Sequence, residues 1–138
     1  MSRGGTNAET LRSYLNLRFG YYEEKYVITP DPTVQLADRF DAIITTAYKQ
    51  TGLKVAILID EYDSPLQHSR KTPEHEACTE VYREVFAILK ADDEYERLVF
   101  ITGITKFTQI SLFSVLNNLT NISFLPEYVP SAASLKRR

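Results

Sequence analysis

The chain has 138 residues, 43% of them apolar and 25% charged, which suits one globular domain with a real core and excludes a disordered or fibrous chain. Its 18 acids against 16 bases leave a net charge of −2, so there is no overall basic footprint for nucleic acid; Lys136, Arg137 and Arg138 read as a solvated terminus. The lone Cys78 excludes an internal disulfide framework and fits a reducing cytoplasm, and no apolar run approaches the ~20 residues that span a bilayer.

Residues 1–5 carry no pattern and read as disordered. Thr6 stands three before Glu9, the spacing of a capping box, and Leu11, Tyr14, Leu15 and Phe19 follow at helical spacing. This predicts a helix over 7–19 with Gly20 as its stop. Tyr21 and Tyr22 then fall in an aromatic stretch. It could stack nucleic-acid bases, but rings covering the core edge are the favoured reading. Asp31 followed by Pro32 predicts a helix start, and the stripe Ala37, Phe40, Ile44, Ala47 and Tyr48 carries that helix over 33–51, ended by Gly52.

Val55, Ala56, Ile57, Leu58 and Ile59 form an unbroken, mostly branched apolar run. It predicts a strand over 54–60 buried on both faces, as in a parallel sheet between helices. Asp60, Glu61 and Asp63 cap it, so the acids sit at a strand's carboxyl end, where open α/β sheets bind ligands. Four apolar residues and then Asp-Glu is the Walker B pattern, in which the first acid serves Mg²⁺ and the second orients the attacking water. The plain alternative is a buried strand ending in solvated acids.

A polar surface loop is expected over 64–71, then a helix over 74–91 with Cys78, Val81, Val85, Ile88 and Leu89 inward, closed by the acids of 92–96. A second buried strand is expected over 97–103. Strand, helix and strand make a right-handed parallel unit, which puts Thr102, Thr105 and Lys106 on the same rim as Asp60 and Glu61. A helix over 109–119 follows, with Ile110, Phe113, Leu116 and Leu119 as its stripe and Asn117 and Asn118 near its end, and then an irregular tail. His68, His75 and Cys78 could be imagined around zinc, but a fourth ligand is not evident, and a surface histidine with a buried thiol is the favoured account.

Jointly, the run from Val55 to Leu66, the run from Val99 to Phe107, the segment from Phe113 to Leu119, and Pro126, Glu127 and Tyr128 resemble the bacterial AAA-ATPase-like family. These are P-loop ATPases that often carry a C-terminal nuclease-like domain of the PD-(D/E)XK type. The resemblance implies a partial three-layer P-loop NTPase core, with Mg²⁺ and ATP as cofactors. It implies Asp60 as the Walker B acid for Mg²⁺, Glu61 at the catalytic-base position, and Thr102 or Thr105 as the polar sensor. Lys106 is placed where it could approach a phosphate, or it is a solvated charge.

The family carries a strand, a Gly-Lys-Ser/Thr phosphate loop, its helix and a second strand ahead of this region, and no Gly-x-x-x-x-Gly-Lys-Ser/Thr occurs in these residues. The sequence therefore reads as one partial domain over 1–138, a fragment in which the ATPase is not competent alone. Two parallel strands with open edges predict low stability alone or self-association, or assembly with a full-length relative that supplies the missing strands. An interaction module completing such a relative is the second reading. A Mg²⁺- or Mn²⁺-dependent phosphoesterase or nuclease using Asp60, Glu61 and Asp63 is the third, and three acids within four residues converge poorly from a strand.

Overall fold

The computed structural model describes residues 7–103. The expected disorder of 1–5, the Thr6 cap, the helix over 109–119 and the tail lie outside them. In chain order the elements are α1 (Ala8–Lys25), α2 (Leu36–Thr51), β1 (Val55–Ile59), α3 (Ser64–Ser69), α4 (Glu74–Ala91), a 3-10 turn (Asp93–Tyr95) and β2 (Glu96–Ile101). This is an α/β arrangement: β1 and β2 pair in parallel, and α4 is the crossover between them. Val55 pairs with Glu96 and Ala56 with Leu98, so Arg97 is an extra residue that bulges the start of β2.

α1 begins at Asn7, whose Oδ1 accepts from the Thr10 N–H at 2.8 Å. Gly20 does not stop it. One glycine costs a helix interior only about 1 kcal/mol, and the next turn buries Glu23 against Arg39 of α2. Just before it, Phe19 stacks on Phe40 of α2 at 5.3 Å. The helix ends instead at Tyr26, with Val27 in the left-handed region (φ 58°). The Val27 N–H donates to the Glu24 carbonyl (3.1 Å) and the Ile28 N–H to the Glu23 carbonyl (2.8 Å), the paired bonds of a Schellman stop. Tyr21 and Tyr22 are therefore on a helix, both exposed, rather than in a covering loop.

α2 starts later than expected. Asp31 does not cap it; its Oδ1 accepts from the Thr33 N–H (2.9 Å) and hydroxyl (2.6 Å), closing a local turn ahead of Leu36. Gly52 stops α2 in the left-handed conformation (φ 68°) as expected. The polar stretch after Asp63 is not wholly loop, because Pro65 lies in the first turn of the short α3.

The three long helices pack together on one face of the sheet. Leu11 and Phe19 of α1, Ile43, Ile44 and Ala47 of α2, Ile57 of β1 and Val81, Val85, Phe86 and Leu89 of α4 form the core. Among the described residues the strands are not covered on both faces as expected. Side chains alternate along a strand, and among these residues helices meet only the Val55, Ile57, Ile59, Val99 and Ile101 side. On the opposite side Leu58 is 71% exposed and Leu98 51%. A bare face predicts tolerance: Leu58→Ser should move the urea midpoint by no more than about 0.5 kcal/mol equivalent, whereas the same change at Ile57 should cost several times that.

Candidate functional site at the carboxyl rim

β1 and β2 end side by side, and the backbone carries the pairing one step past them. The Thr102 N–H donates to the Ile59 carbonyl (2.8 Å), and the Tyr62 N–H donates to the Thr102 carbonyl (3.1 Å). The Thr102 side chain thereby lies between the two acids. Its hydroxyl donates to Asp60 Oδ1 and accepts from the Glu61 backbone N–H at 3.0 Å. Of the residues expected at this rim, the structure brings Asp60, Glu61 and Thr102 together. Thr105 and Lys106 lie outside the described residues.

Glu61 takes a left-handed conformation (φ 51°), uncommon for a residue with a side chain. It ends the strand's alternation. Asp60 and Glu61, both exposed, open onto one cleft of about 650 Å³ between β1 and the helices. The cleft runs along all five residues of β1 and is walled by Tyr14, Arg18 and Tyr22 of α1 and Phe40 of α2.

Asp63 goes elsewhere. It is fully buried at the start of α3, where its Oδ2 accepts from Gln67 Nε2 at 2.9 Å. Tyr62 beside it is also buried, in edge-on contact with Tyr82 and Phe86. Burial first, and then the Asp63 charge, pushes the Tyr62 hydroxyl up to about 12, so it stays protonated. Gly103 closes over the pair: a Cβ there would stand 2.5 Å from Tyr62 Cε1 and 2.9 Å from Asp63 Oδ1. The supporting roles of Asp63, Tyr62 and Gly103 were missed from sequence. The Asp-Ser-Pro spacing was a signal for a helix start at Asp63; nothing in the sequence flagged the close approach at Gly103.

Among the described residues no three of His, Cys, Asp and Glu are placed to hold a metal ion together. The zinc alternative fails in detail. His68 Nδ1 donates to the Ser64 carbonyl (2.6 Å), His75 Nδ1 lies 3.3 Å from Ser69 Oγ, and burial pushes the Cys78 thiol up, against thiolate formation. A cation at Asp60 would draw its remaining ligands from water or a bound phosphate. That suits Mg²⁺, which keeps several waters and takes one or two carboxylates. Among the described residues, no helix is long and apolar enough to cross a membrane.

No solved structure matches the chain. A bacterial relative from Azotobacter chroococcum mcd 1, described as an uncharacterized protein in the vnfD 5' region, is 35% identical over 91 residues. That stretch is 65% of this chain but only 18% of the relative, so the chain spans under a fifth of the length of the protein it matches. The family model described as predicted AAA-ATPase matches residues 2–113, which takes in the helical layer, both strands and the rim with Asp60, Glu61 and Thr102. The chain belongs to the AAA-ATPase-like family.

Proposed function

We propose that this rim is the Walker B and sensor half of a P-loop ATPase. Asp60 serves the Mg²⁺ of a bound nucleotide, Glu61 orients the attacking water, and Thr102 is the polar sensor. The observation that carries the reading is the Thr102 clamp. One hydroxyl fixes the first carboxylate and the backbone of the second, holding the pair ready for a metal-bound phosphate. Thr105 was the equal candidate for the sensor; the bond to Asp60 favours Thr102. The buried Asp63 speaks against the three-acid phosphoesterase or nuclease.

The grip on phosphate comes from a phosphate loop outside these residues, since their sequence holds none. Calorimetry on the 138-residue chain should show no ATP binding in the micromolar range, and tight binding would overturn that part. A chimera placing the phosphate-loop half of a family member ahead of Asn7 should hydrolyse ATP with Mg²⁺. Asp60→Asn and Glu61→Gln should each slow it about 100-fold or more. Hydrolysis at the unaltered rate in both variants would end the reading.

A second reading, assembly with a partner that supplies strands, has its own support. Among the described residues β1 pairs on one edge only, and the cleft lies along the other. α1 and α2 share the face of α4. A parallel strand feeding α1 through a right-handed crossover would therefore arrive at that bare edge of β1.

A further inference from the structure

The opposite rim, where β2 begins, holds acids in an unusual setting. Asp92 at the end of α4 is 5% exposed and Glu96 at the start of β2 is 8% exposed. Among the described residues, Asp92 Oδ2 and Glu96 Oε1 are buried and meet no hydrogen-bond partner. Among the described residues, neither acid has a cation within ion-pair distance. The groups that face them are acids and phenols. Asp41 of α2 and Glu94 of the 3-10 turn press like charge on Asp92, and Asp93 does so on Glu96. Tyr95 of that turn packs on Tyr48 of α2 at 5.2 Å between rings. Buried carboxylates without a counter-charge are costly when ionised, and like charge nearby adds to that cost, so the protonated form is favoured.

We propose that Asp92 and Glu96 form a proton-held latch at the amino end of the sheet, which fastens the α4–β2 turn against α2 while protonated and loosens as the protons leave. The bulge at Arg97 lies next to Glu96, so loosening acts on the strand whose far end positions Thr102. This latch is independent of the ATPase reading, because neither its residues nor its test involve nucleotide.

Titration has the matching direction. Burial first, then Asp41, pushes Asp92 up to about 6; burial first, then Asp93 and Asp92, pushes Glu96 up to about 7. An unfolded chain loses these protons near the ordinary carboxylate range, about 4. The folded chain keeps them longer, so their stabilisation is complete below about 4 and is lost as pH rises through 6 to 7.

Thermal melts of the 138-residue chain should fall by roughly 5–10 °C from pH 5 to pH 8. Asn and Gln copy the protonated acids, so Asp92→Asn with Glu96→Gln should flatten that slope and keep the pH 5 midpoint at pH 8. An unchanged slope in the double variant overturns the latch. Carbon-13 NMR of the unaltered chain tests it without mutation. Carboxyl titrations of Asp92 and Glu96 above 5 support the proposal, and titration of both near 4 overturns it even where the variant fails to fold.

Discussion

Replacing Glu23 by Ala is expected to lower unfolding free energy by about 3–5 kcal/mol, measured by urea denaturation. Glu23 is 1% exposed and Arg39 6%. The guanidinium meets the carboxylate in two bonds, Nε to Oε1 at 2.7 Å and Nη2 to Oε2 at 2.8 Å, with Asn16 on the remaining nitrogen. Removing the acid leaves a buried cation with one polar neighbour. Against a total of about 5–15 kcal/mol for a domain, that loss removes most of the stability at the low end of the range and about a third at the high end. The charge itself is not what stability requires. Glu23→Leu combined with Arg39→Met should recover most of the loss, because a packed apolar pair avoids desolvating two ions. A double variant as unstable as Glu23→Ala would show that the ion pair is needed for its geometry. The exposed Arg12–Glu84 pair between α1 and α4, 3.0 Å long, should by contrast be nearly silent on mutation.

The second large effect is expected at Gly103, where Gly103→Ala should cost about 1–3 kcal/mol. The new methyl would collide with the Tyr62 ring and the Asp63 carboxyl, both buried, so neither can swing into solvent. Relief comes by moving the 102–103 backbone outward, which pulls Thr102 from Asp60. In the phosphate-loop chimera the variant should therefore lose hydrolysis as well as stability. Tyr62→Leu combined with Gly103→Ala makes room and should restore part of both. Hydrolysis unaffected by Gly103→Ala would show that the Thr102 bond does not matter to the reaction.

The parallel pair, the crossover helix α4 and the shared rim of Asp60, Glu61 and Thr102 were legible in the sequence. Each rests on a local, one-dimensional signal: an apolar run, a helical stripe and the handedness of the connection. The length of α1 was not legible, because the contact made beyond Gly20, Glu23 on Arg39, joins residues far apart in sequence. The start of α2 was misplaced for the opposite reason. Asp31 bonds locally to Thr33, and side chains of that kind serve turns as readily as helix caps. The two-sided burial of β1 was a reasonable inference from Ala56 and Leu58, yet among the described residues helices meet only the other side. The fate of Asp63 turned in part on Gly103, which is distant in sequence and meets Tyr62 and Asp63 only in three dimensions.

The left-handed torsion at Glu61 also governs which replacements can report on its carboxylate. A branched side chain such as valine resists that conformation and would straighten the chain out of the cleft, so its lost activity would say nothing about proton chemistry. Glutamine keeps the shape of the native side chain and asparagine accepts the same twist, both with no acid, so these two separate the bend from the charge.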